Sequence, residues 1–97
     1  MRLIVDPKAG EYIKKKSQDN SIRVEGQVTG RGWATYYEPS VKMGPPTDNR
    51  KFKVYESDDI KLYLAPGIIP KGDIIRLRLT RFLGIRRIIV EGIKITL

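Results

Sequence analysis

Arg76, Arg78, Arg81, Arg86 and Arg87 crowd one short stretch with no acidic residue between positions 76 and 87. A guanidinium group is planar, permanently charged and able to make two parallel hydrogen bonds, so such a stretch suits recognition of a phosphate or a carboxylate. The surrounding residues alternate like two strands of a hairpin. With residues 81–84 as a four-residue turn, Thr80 faces Ile85, Leu79 faces Arg86, Arg78 faces Arg87 and Leu77 faces Ile88. Ile75, Leu77, Leu79, Ile88 and Val90 then point to a core, and Arg76, Arg78, Arg87, Ile89 and Glu91 point away. Arg78 directly opposite Arg87 is disfavoured by ~0.2–1 kcal/mol, so a negative group is expected beside them. It has two sources: an internal carboxylate, either Glu91 diagonal to Arg76 or Glu38 from another strand, or else a phosphate or a partner's acidic patch. The register matters, because a slip of one residue exchanges the two faces.

Other constellations carry less chemistry. Trp33, Tyr36 and Tyr37 lie near Arg31, and aromatics interleaved with cations stack the bases of single-stranded nucleic acid. The same residue types also fill a core or cover its edge. Gly30 and Gly32 let a backbone approach a ligand, but no Gly-Lys-Ser/Thr follows, so they do not make a phosphate loop. Asp58 and Asp59, after Ser57, read as a hairpin turn and offer too few oxygens for a cation. Ser17, Ser21, Ser40 and Ser57 have no histidine anywhere in the chain to activate them, and nothing positions a Ser-Lys dyad. No catalytic set emerges and no enzyme activity is expected.

Composition sharpens these exclusions. With no Cys and no His, disulfides, thiolate metal sites, cysteinyl clusters and the commonest general base are all absent. No cofactor is expected. The net charge of +8 makes anionic partners, nucleic acid among them, reasonable. No run of about 18 apolar residues exists to span a bilayer, and the first residues are too short an apolar stretch for a signal peptide. A cytoplasmic protein without a membrane partner is expected.

The elements that must position these residues follow from local signals. Residues 3–5 read as an opening strand. Residues 6–16 read as a helix, with Asp6 as cap, Pro7 at its first position, and Ala9, Tyr12 and Ile13 sharing one face. Lys14, Lys15 and Lys16 either complement the helix dipole or touch an anion. Alternation over 22–28 predicts a strand, bent at Gly26, and residues 34–37 return from a loop at 29–33. The proline and glycine density of residues 38–50 predicts an irregular connection. Phe52, Val54 and Glu56 alternate with Lys53 and Tyr55, and Ile60, Leu62 and Leu64 with Lys61 and Tyr63, giving a hairpin. A loop with Pro66, Gly67, Pro70 and Gly72 leads to strands over 74–80, 85–90 and 93–97. The expected class is mainly β with one N-terminal helix (α+β), a single domain over 1–97 of ordinary globular composition. Self-association through a free strand edge, or through Ile85 and Ile89, would make a homo-oligomer.

The order of these pieces resembles a HesB-like domain, the fold of the A-type iron-sulfur cluster biogenesis proteins, and most of all its short CC/Se motif relatives. The resemblance rests on the opening strand and helix, Gly32-Trp33, Glu38-Pro39-Ser40-Val41-Lys42-Met43-Gly44-Pro45-Pro46, Asp59-Ile60-Lys61-Leu62-Tyr63-Leu64, Phe82-Leu83-Gly84-Ile85 and Val90-Glu91-Gly92. It implies a compact β-rich fold in which cysteines present a cluster or metal. Thr29-Gly30 stands where the CC/Se relatives carry paired cysteines, and Ile95-Thr96-Leu97 lacks a Cys-Gly-Cys tail. The expectation is therefore a noncatalytic domain that has lost its ligands and serves as an interaction or scaffold module, with a partner from the iron-sulfur assembly machinery. The alternative is a small anion or nucleic-acid binder working through Arg76, Arg78, Arg81, Arg86 and Arg87 with Arg31 and Trp33.

Overall fold

The computed structural model describes residues 2–31 and 33–96, without the side chains of Gln18, Thr29, Arg31, Ala34, Thr35 and Tyr37. Strand β1 (Arg2–Val5) enters helix α1 (Pro7–Lys16), which leads through a 3-10 turn at Gln18–Asn20 into β2 (Ser21–Arg31). There follow β3 (Ala34–Met43), β4 (Lys53–Ser57), β5 (Ile60–Leu64), β6 (Ile68–Pro70), β7 (Ile74–Phe82), β8 (Ile85–Glu91) and β9 (Ile93–Ile95). The mainly β class with one helix is what the alternation predicts.

Three sheets share one core. Their orders are β1-β7-β8, β3-β2-β5-β4 and β6-β9, with β1 parallel to β7 and β2 parallel to β5. Leu3 and Val5, Ile22 and Val24, Ile60, Leu62 and Leu64, Ile68, Ile75 and Leu77, and Ile88 meet beneath Ala9 and Ile13 of α1. Burying such side chains stabilises the fold by about 1.5–3 kcal/mol each. α1 contributes only a short apolar stripe, so its stability comes from this packing more than from its ten residues. Its exit is tied down by buried Ser21, whose N–H donates to Ser17 Oγ at 3.0 Å and whose hydroxyl donates to the Asp19 carbonyl at 3.0 Å.

Several sequence expectations change. Residues 38–43 are not irregular: they continue β3, pairing Pro39 with Gly26 and Met43 with Ile22. Proline breaks a central ladder, but β3 is the sheet's edge, where Pro39 is tolerated. Thr29 and Gly30 lie in β2, opposite Tyr36 and Thr35, and not in a loop. On β4 the faces are exchanged: Tyr55, opposite buried Leu62, is the half-buried residue, while Val54 is exposed. The loop after Leu64 contains a strand, β6, too short to show a period. The turn at Asp58-Asp59 is as predicted, with both residues in the left-handed region that Asp tolerates (φ 52° and 65°).

Two hairpins outrun the core. Beyond Glu25 and its partner Ser40 the described residues of β2 and β3 are exposed, ending at Trp33, which is 97% exposed. Trp33 and Tyr36 are therefore not core residues, since Tyr36 is exposed as well; the Tyr37 side chain lies outside the described residues. On β7 and β8 the apolar ladder ends at half-buried Leu79 opposite Ile88, and residues 81–87 are exposed.

A candidate anion-binding groove

The β7–β8 register decides the site. The turn is two residues, Leu83-Gly84, with φ 51° and 80°, so Phe82 pairs with Ile85, Arg81 with Arg86, Thr80 with Arg87 and Arg78 with Ile89. The expected Arg78–Arg87 pair is displaced because the turn is shorter than four residues. The change in register is even, so the face assignment survives it. The like-charge pair is Arg81 with Arg86, on the face that carries Leu77 and Leu79 but beyond the end of the core.

The internal carboxylates are distributed unequally. Arg76 Nε donates to Asp6 Oδ1 at 2.9 Å and Nη2 to Oδ2 at 3.4 Å. This bond, and then the Asp6 charge, raise the Arg76 pKa above its already high ordinary value, with Glu91 adding to it. Asp6 occupies the N-cap position of α1 but makes no side-chain cap bond, because its carboxylate is turned to Arg76. Arg78 Nη1 reaches Glu91 Oε2 at 3.5 Å. Glu91 therefore serves Arg78, and Arg76 uses Asp6, a partner its capping signature concealed. Glu38 faces Gln27 on the other hairpin and serves neither.

Arg81, Arg86 and Arg87 have no ion pair among the described residues. Arg81 and Arg86 line a groove of ≈ 540 Å³ with Leu79 and Thr80 on one side and Lys8, Glu11, Tyr12, Lys15 and Lys16 of α1 on the other. The helix spacing 8, 11, 12, 15, 16 is a single face, visible in the sequence once the lysines are read together with Tyr12. Tyr12 orients the site: the Arg86 guanidinium carbon lies 5.8 Å from its ring centroid, and its hydroxyl donates to the Arg86 carbonyl at 3.5 Å. The ring thereby holds one cation without neutralising it. Glu11 is the one carboxylate on the lining, against five cationic side chains.

Arg87 lies on the opposite face of the hairpin, in a shallow hollow of ≈ 350 Å³ with Thr80, Phe82, Ile85 and Ile89. Trp33 sits at the tip of the other hairpin, and Arg31 is placed at that turn by its backbone pairing with Ala34; its side chain lies outside the described residues. The seven residues that stand out in the sequence are thus not one patch. Two share the groove, one lies behind it, two are paired internally and two belong to the β2–β3 tip.

Among the described residues no group of three or more His, Cys, Asp or Glu could hold a metal ion, and no helix is long and apolar enough to cross a membrane. A model of the CC/Se motif containing family matches residues 1–93, and the chain belongs to that family. No curated protein and no solved structure matches it significantly. Thr29 and Gly30 do not fit a cysteine-held group: a threonine hydroxyl and a bare backbone cannot replace thiolate.

Proposed function

We propose that this cysteine-free member of the CC/Se motif family is a noncatalytic binding module that docks an anionic group of a partner into the groove between α1 and the β7–β8 hairpin. The observation that carries this reading is Arg81 facing Arg86 across two strands with Lys8, Lys15 and Lys16 opposite. Such a pairing opposes folding unless an anion offsets it. A wider kinship with HesB-like domains, and a partner from cluster assembly, rest on the order of the sequence pieces. A fluorescent oligo-aspartate peptide tests the groove by anisotropy. Binding at low salt should weaken about tenfold or more in Arg81→Ser/Arg86→Ser, where two charge-assisted bonds are removed, and change little in Arg78→Ser, whose guanidinium is already engaged. Equal affinity in all three proteins defeats the proposal.

A second reading, single-stranded nucleic acid, is favoured by exposed Trp33 and Tyr36 at the β2–β3 tip. Stacking there is worth about 1–3 kcal/mol per base. Trp33→Ala should then release an oligonucleotide while leaving the aspartate peptide bound; retention of both removes this reading.

A further inference from the structure

The apex of β7–β8 is apolar on every side. Phe82 is 76% exposed, Leu83 85% and Ile85 59%, and Gly84 completes the turn without a polar side chain. Leu83 is also conformationally misplaced. Two consecutive residues at positive φ make a type I′ turn, which Asn-Gly fills with least strain, whereas leucine there is strained. The sequence thus places a large apolar group at the most exposed point of the hairpin against local backbone preference. Just below the apex stands a ring of cations without ion pairs among the described residues: Arg81 and Arg86 on one face, Arg87 on the other. Along a strand they lie one or two residues from Phe82 and Ile85, about 3–7 Å.

We propose that this hairpin tip inserts into the interfacial region of an anionic lipid bilayer, with Phe82, Leu83 and Ile85 among the upper acyl segments and Arg81, Arg86 and Arg87 at the phosphates. The inference deepens the anionic-partner reading, on which it rests, by naming the partner. Charge complementarity and dimensions support it: interfacial elements bury their apolar face about 5–10 Å deep, and anionic headgroups attract adjacent basic side chains. A closed two-residue hairpin also carries little unpaired backbone into the lipid, since Phe82 and Ile85 pair with each other. Leucine and isoleucine have no π-face, so the apex is poorly made for stacking on bases. The absence of a run long enough to span a bilayer, from which no membrane partner is expected, does not bear on a hairpin tip that enters only the interface.

The test uses phosphatidylcholine vesicles with and without phosphatidylglycerol, and the oligo-aspartate peptide as a soluble control. The chain lacks cysteine, so Leu83→Cys carries an environment-sensitive dye at one site. Its emission should shift to the blue on anionic vesicles and stay unchanged on neutral ones. Leu83→Asn, which installs the preferred turn and leaves every cation, should unfold at a temperature no lower than the parent. It should nevertheless co-sediment about tenfold more weakly, the order expected from withdrawing one large aliphatic side chain. Co-sedimentation equal to the parent's means adsorption by charge alone and overturns insertion. Peptide binding without vesicle binding overturns the lipid inference and leaves the groove reading standing, whereas loss of both removes the two together. Tight binding of a single-stranded oligonucleotide that Leu83→Asn weakens, Trp33→Ala leaves intact and anionic vesicles fail to displace assigns the β7–β8 tip to nucleic acid instead.

Discussion

Gly92 and Gly84 both sit at positive φ, 88° and 80°, yet substituting them should have very different effects. An added Cβ at Gly92 would overlap the carbonyl oxygen of Ile74, where the chain turns from β8 into β9 past the start of β7. At Gly84 the same atom meets nothing within 4 Å. Left-handed backbone alone costs a non-glycine residue about 1–2 kcal/mol, so Gly84→Ala should destabilise by about 1 kcal/mol. Gly92→Ala adds a backbone collision and should cost about 3 kcal/mol or more, since strands on both sides of the joint must shift. Urea unfolding midpoints of the two variants check this; equal shifts would mean that the chain relaxes freely at Gly92. Neither conformation was legible beforehand, because a sequence names the glycine but not the φ it adopts.

At the scale of elements, what was legible depended on whether a signal was periodic or punctual. The faces of β7 and β8 followed from alternation, and an error of two in register left them intact. The register itself was illegible because leucine at the first turn position carries no turn chemistry, unlike Asp58-Asp59, whose residues tolerate positive φ and announced their turn. The groove was half visible. Its arginines stood out as a run, while its helical side was divided between a lysine run read as a dipole partner and a tyrosine read as core. Arg76 stood out alongside the others because Asp6 reaches it from the joint of β1 and α1, 70 residues away in sequence, whereas Glu91, expected as an internal carboxylate of the hairpin, reaches Arg78 in place of Arg76. The hairpin itself supplies a prediction. Arg81→Glu replaces a repulsive cross-strand pair by an attractive one and should raise stability by ~0.2–1 kcal/mol, while weakening binding of the aspartate peptide. Denaturant unfolding and anisotropy on the same variant measure both. A variant that loses stability would show that Arg81 has an internal partner after all.

Over the whole molecule the charge is not evenly neutralised. Asp6, Glu25, Asp48 and Glu91 are each engaged by a cation, and the Arg50 guanidinium and backbone hold the Asp48 carboxyl below its ordinary value. Among the described residues, five cations of the groove and Arg87 behind it make no ion pair, and Glu11 is the carboxylate of the groove lining. A chain carrying +8 is attracted to any polyanion, so binding by itself discriminates little; its dependence on salt and on where charge is removed discriminates well. With a single-stranded oligonucleotide as a generic polyanion, log affinity should fall linearly with log salt. The slope should flatten by about 0.7 for each phosphate that is no longer neutralised. Arg81→Ser/Arg86→Ser removes two cations from the groove, and Lys51→Ser/Lys53→Ser removes two exposed ones where the chain enters β4. The net charge of the two variants is identical, so a field spread over the whole surface predicts identical slopes. A localised site predicts flattening in the groove variant only, and it is this inequality, measured by filter retention across a salt series, on which the functional placement of α1 against β7–β8 stands.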